Sequence, residues 1–244
     1  MILAWILGCI LAGSIGAVLV AGGFLLFPNP VRRRLLPLLV SYATGSLLGG
    51  AFLGLIPHAL EREAPASVLP YVFAGMLFFF ILEKLVIWRH CHVENCTIHS
   101  AVGPLIIVGD AVHNFADGII IAAAFLTSMD LGIAATVAVI AHEIPQEVGD
   151  FAVLVDSGYS TRRAIMLNVA SAGASLVGGV VAYLFLSRMA ALLPYVLAVS
   201  AASFIYIAAA DLIPGLHRDA RPVHAVQQVL LVAAGAATIW LLHR

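Results

Sequence analysis

Eight runs of about 20 predominantly apolar residues divide this chain almost end to end, and that pattern leaves few folds open. They lie at about 3–27, 35–60, 70–88, 101–127, 131–156, 162–186, 192–215 and 223–242. Each is long enough to cross the hydrocarbon core of a bilayer as a helix. In lipid every backbone amide must find its partner within the protein, which restricts spanning elements to helices and closed barrels. Barrel strands alternate apolar and polar residues, whereas these runs are continuous. The expectation is therefore an all-α polytopic membrane protein with eight transmembrane helices in one bundle. Its composition of 62% hydrophobic and 10% charged residues, with a mean hydropathy of +1.06, lies outside the range of soluble domains. Short connections leave no room for a separate soluble unit, so residues 1–244 read as a single transmembrane domain. The first run lacks the basic start of a secretory leader and exceeds its usual apolar length, so it is read as a helix.

Basic residues set the orientation. Nine of the 12, namely Arg32, Arg33, Arg34, Lys84, Arg89, Arg162, Arg163, Arg218 and Arg221, fall in connections on one side, against Arg62, Arg188 and Arg244 on the other. The richer side marks the cytoplasm and both termini are expected outside. The setting inferred is the bacterial inner (plasma) membrane. The net charge of −1 is partitioned by the bilayer and points to no nucleic acid. The three cysteines, Cys9, Cys91 and Cys96, form no disulfide framework.

Against this apolar background, the fourth and fifth spans carry His113-Asn114-Phe115-Ala116-Asp117-Gly118 and His142-Glu143-Ile144-Pro145-Gln146-Glu147. Asp110, Asp117, Glu143, Glu147, Asp150 and Asp211, from a total of 13 acidic residues, lie within spans. An ionisable group at the bilayer centre costs about 3 kcal/mol on insertion scales, so such groups usually line an ion or proton path. On a helix His113 and Asp117 share a face, Asp110 extends it one turn and Asn114 flanks it. His142 with Gln146, and Glu143 with Glu147, form two adjacent rows, which Asp150 continues. The short connection between these spans makes them antiparallel neighbours whose polar faces meet at one depth. Imidazole and carboxylate donors suit a divalent cation, Zn²⁺ first, with Fe²⁺, Mn²⁺, Co²⁺ and Cd²⁺ as alternatives; no organic cofactor is called for. Pro145 removes an amide from the fifth helix and is expected to kink it beside the ligands. Isolated polar residues in a span more often serve as interhelical hydrogen bonds, but a clustered ligand set on two helices does not fit that description.

The two motifs resemble the His-Asn-x-x-Asp-Gly and His-Glu-x-Pro-x-Glu signatures of the ZIP family of divalent-metal transporters, matched by His113, Asn114, Asp117 and Gly118 and by His142, Glu143, Pro145 and Glu147. The resemblance implies a binuclear centre in the membrane. One site would use His113, Asp117, His142 and Gln146, the other Asn114, Asp117, Glu143 and Gln146, with Asp117 bridging. Gln146 departs from many relatives, which have His or Glu there, and its neutral amide is a weaker ligand. The resemblance also implies uptake of metal into the cytoplasm by alternating access, a bundle built around the second, fourth, fifth and seventh helices moving against the rest. Room is left for a homodimer.

Other residues fit a path to and from this centre. His58 and Glu61 stand near the outer end of the second span. Asp110, Glu147, Asp150, Asp211 and His217 are candidates for the inner half, with Asn168 and Ser171 as polar neighbours. The 89–100 loop carries His90, His92 and His99 with Cys91 and Cys96, a cytoplasmic group suited to receiving metal or to plain solvation. Gly45, Gly49, Gly178 and Gly179 suit close helix packing, and Phe78-Phe79-Phe80 suits lipid or core. Two other classes stay open. His142-Glu143 begins like the zinc-protease HExxH but has Gln146 at the second histidine position, so an intramembrane zinc metallohydrolase would need His113 instead. A proton-coupled transporter of another solute would use the same residues without metal.

Overall fold

The computed structural model describes the backbone of residues 1–90, 99–217 and 222–243, and the side chains of 1–84, 107–155, 157–217 and 224–243. The side chains of His90, His92 and His99, together with Cys91 and Cys96, fall outside the described residues. The helices, in order, are α1 Ile2–Phe24, α2 Asn29–Leu60, α3 Pro65–His90, α4 His99–Thr127, α5 Met129–Asp156, α6 Thr161–Leu186, α7 Ala190–Leu216 and α8 Pro222–Leu242. No strand occurs among the described residues, and seven of these helices are long and apolar enough to cross a membrane. The eighth, α5, has the length but carries His142, Glu143, Gln146, Glu147 and Asp150. The chain is an all-α polytopic membrane protein.

Three helices depart from regular geometry at identifiable residues. At Ser14, α1 is interrupted, and the Ser14 hydroxyl donates to the Ile10 carbonyl at 2.7 Å. In α2 and α7 the turns Gly50–Leu55 and Ile207–Leu212 widen to π-helix. Each precedes a proline, Pro57 or Pro214, whose ring crowds the carbonyl four residues back; a wider turn relieves that conflict. Pro145, by contrast, sits inside an unbroken α5.

Small residues decide which helices touch most closely. A side chain at Gly118 would strike the Ser175 carbonyl, and one at Gly178 would strike the Phe115 carbonyl, so α4 and α6 approach backbone to backbone. Gly45 against Val232, and Gly235 against Tyr42, bring α2 and α8 together in the same way. Close approach through small residues is the main source of helix affinity where lipid offers no hydrophobic drive. Around α4, α1, α5 and α6 also pack on one another, while α3 pairs with α7. As a result the second half of α4 is enclosed, its run Ile120–Phe125 fully buried, while Val108 and Val112 in its first half stay exposed. Phe73, Phe78, Phe80 and Ile81 on α3 stay exposed and suit contact with lipid tails.

Candidate metal centre

Helical periodicity puts Asp110, His113, Asn114 and Asp117 on one face of α4, and His142, Glu143, Gln146 and Glu147 on the facing side of α5. The two faces meet. His113 Nε2 lies 3.2 Å from His142 Nε2 and 3.3 Å from Glu143 Oε1. His142 Nε2 lies 3.2 Å from Asp117 Oδ2 and 3.8 Å from Glu143 Oε1, and His113 Nε2 is 3.7 Å from Asp117 Oδ2. All four ligand atoms fall within 4.8 Å of one another. Donors about 2.0–2.2 Å from a shared tetrahedral ion stand about 3.3–3.6 Å apart, so these separations are close to those of a ligand set and small side-chain shifts would close them on a cation.

The protonation pattern supports the same use. His142 Nδ1 is 2.9 Å from the Ala138 carbonyl, which can only accept, so the ring proton sits on Nδ1 and Nε2 keeps its lone pair toward the cluster. Asp117, His142 and Glu143 are 2%, 1% and 0% exposed, whereas the His113 side chain keeps 18%, which marks the open side of the cluster. Both carboxylate oxygens of Asp117 and of Glu143 have no hydrogen-bond partner among the described residues. Buried carboxylates without donors are costly, and a divalent cation is the natural compensation.

One turn along α4 the chemistry changes. Asp110, buried, accepts from Ser171 Oγ at 2.5 Å, from Asn114 Nδ2 at 2.9 Å and from Gln146 Nε2 at 3.4 Å. Its role is to turn two amides. With its NH₂ on Asp110, Asn114 leaves Oδ1 buried and unpartnered, free to act as an oxygen ligand. Glu147, fully buried one turn beyond Glu143, likewise has both oxygens without a donor. Asp150 is half-buried and Asp211 is exposed within the widened turn of α7.

The remaining sequence candidates lie elsewhere. His58, at the end of α2, bonds the Gly54 carbonyl and stacks edge-on against His243, while Glu61 is exposed just after it. His217 lines an apolar groove of about 590 Å³ with Thr44, Phe52 and Gln228, between α2, α7 and α8, rather than the cluster. Sequence reading did not single out His243, nor the bond from Tyr206 Oη to Glu83 that ties α7 to α3. Glu83, a carboxylate within the third apolar run, was the available signal for the latter.

A bundle of apolar helices holding a buried histidine and carboxylate cluster between two of them defines an integral membrane protein built to handle a cation. A family model described as ZIP zinc transporter matches residues 87–243, and the chain belongs to that family. It is similar to the zinc transporter ZIP13 of Pongo abelii, 33% identical with 83% of this chain and 65% of the relative covered. It is also similar to the mouse zinc transporter SLC39A7, at 30% with 88% and 64% covered, and to the Drosophila melanogaster ZIP13 homolog, at 28% with 86% and 78% covered. The chain thus spans just under two thirds of the length of the first two relatives.

Proposed function

We propose that the protein carries a divalent transition-metal cation, Zn²⁺ first, across the membrane into the cytoplasm, with the α4–α5 cluster as its midplane binding site. The observation that carries this reading is the convergence of four ligand atoms from two helices, three of them on buried side chains and two of them carboxylates with no donor among the described residues. In the proposed cycle the cation reaches the cluster from the His58 end, exchanges its water for His113, Asp117, His142 and Glu143, and leaves past Glu147, Asp150 and Asp211. The His/Cys loop is kept as the receiving group. A second ion would use Asn114 Oδ1 beside Asp117 and Glu143, with Gln146 offering its amide oxygen to either. The count of basic residues supports termini outside, and the bacterial inner membrane is retained as the setting.

The glycine seams bear on how the helices would divide for alternating access. A moving unit of the second, fourth, fifth and seventh helices would separate α4 from α6 and α2 from α8, the two pairs joined backbone to backbone through glycines. Those two seams suit a division that keeps α4 with α6 and α2 with α8. A metallohydrolase is disfavoured because the Glu143 carboxylate lies among the imidazole nitrogens as a ligand, where HExxH chemistry needs it to stand off and activate water. Proteoliposomes loaded with a metal-sensing dye test the proposal. Uptake should be greatest for Zn²⁺ in competition with Fe²⁺, Mn²⁺, Co²⁺ and Cd²⁺, and should vanish in His142→Ala. Absence of uptake for every metal, or equal uptake by the variant, would overturn it.

A further inference from the structure

The central histidine pair has a counterpart at one end of the bundle. His58, in the last turn of α2, and His243, just past α8, stand edge to face with ring centroids 5.8 Å apart and an interplanar angle of 62°. For His113 and His142 the same quantities are 5.4 Å and 83°. Two imidazoles sharing a tetrahedral ion through Nε2 have centroids about 5–6 Å apart, so the centroid separations of both pairs allow joint ligation.

The likeness extends to the tautomer. His58 Nδ1 lies 2.9 Å from the carbonyl of Gly54, four residues back, as His142 Nδ1 lies 2.9 Å from that of Ala138. His243 Nδ1 is 3.4 Å from the Trp240 carbonyl, a longer contact of the same sense. In each ring the carbonyl takes the Nδ1 proton and leaves Nε2 with a free lone pair, the arrangement in which backbone carbonyls usually orient metal-binding histidines. Gly54 itself lies beside the pair: a side chain there would press on Leu131 and reach the His243 ring at ordinary contact distance. Both histidines are half-buried, so a bound ion would keep open positions for water, as suits a site that must give up its ion.

We propose that His58 and His243 form a second divalent-metal site, a two-imidazole station at the end of the bundle, separate from the central cluster and joining the last turn of α2 to the end of α8. Its partner is a borderline cation such as Zn²⁺ or Co²⁺, because two neutral imidazole nitrogens suit these ions better than Mg²⁺ or Ca²⁺.

The test uses the full chain in detergent with Co²⁺ as the probe. A His113→Ala/His142→Ala protein, deprived of the central pair, should still bind one equivalent of Co²⁺ with a nitrogen-ligand visible spectrum. Adding His243→Phe or His58→Phe, each of which keeps a ring in the stack but removes the nitrogen, should weaken that binding at least tenfold. No residual Co²⁺ binding, or residual binding indifferent to both substitutions, overturns the proposal. If His58→Phe disturbs folding, His243→Phe decides together with labelling of the wild type. Diethyl pyrocarbonate should modify His58 and His243 readily, and Zn²⁺ should protect both; modification unaffected by Zn²⁺ also overturns it. These are binding measurements made without the central pair, so their failure leaves the transport reading standing, and failed transport leaves this site standing.

Discussion

Two aspartates on one face of α4 live in opposite surroundings. Asp110 is met by a hydroxyl and two amides, whereas Asp117, two turns along, meets no donor and faces two imidazole nitrogens. The comparison separates two uses of a buried charge. Asp110 is satisfied by the protein and holds its neighbours in place; Asp117, with Glu143 beside it, is left for a ligand from outside. Residue type does not distinguish them, since both are aspartates in an apolar helix.

The contrast can be broken most directly at the ligands. Asp117→Ala and His113→Ala should each reduce metal uptake by more than about 100-fold while leaving thermal stability in detergent unchanged or raised, because the first removes a buried carboxylate without a donor and the second a partly exposed ligand. Near-normal uptake in either variant would remove the central site from the mechanism. Asp110→Ala should behave in the reverse order. The Gln146 amide loses its acceptor and Asn114 keeps only the 3.3 Å bond to the Asp110 backbone carbonyl, at a cost of about 1–3 kcal/mol read as a lower midpoint of thermal unfolding, whereas Ser171 still has the Leu167 and Asn168 carbonyls. Metal affinity should fall by about 10–100-fold, the usual effect of losing a group that orients ligands. If Asp117→Ala destabilises the protein as much as Asp110→Ala does, the distinction between the two aspartates fails.

The seam behind the cluster offers a sharper control. Gly178→Leu should abolish the folded, monodisperse protein, because its side chain would drive into the Phe115 carbonyl and push α6 off α4, whereas Gly173→Ala, with open space around it, should change the unfolding midpoint little. Equal tolerance of both would mean that α4 is not held by that contact. The smallest effect belongs to Gln146→Glu. The carboxylate is a stronger ligand for a divalent cation, but it also replaces a donor to Asp110 by a second negative charge. The opposing contributions should leave metal affinity within about tenfold of the wild type by calorimetry. A much larger gain would show that Gln146 faces the ion and not Asp110.

What could be read in advance was the part of the molecule governed by short-range rules. Continuous apolar runs require helices in lipid, and the i, i+4 spacing of His113 with Asp117 and of His142 with Gln146 puts each pair on one helix face. The resemblance at the two motifs named the family before any coordinates were considered. Span α5 was legible as helix although ligand residues lower its apolarity, because its neighbours left it no other length to fill.

Only the folded chain decided which of those groups face each other. That α4 and α5 bring two Nε2 atoms to 3.2 Å depends on helix rotation and depth, which are set by the glycine contacts of α4 with α6 and by side-chain packing across distant segments. The same holds for Asp110, whose donors come from α4, α5 and α6 together, and for His58 and His243, which no local pattern links. Periodicity along a helix follows from the geometry of one backbone. The register between helices is chosen by the sum of contacts among them, and that sum is written nowhere in a single stretch of sequence.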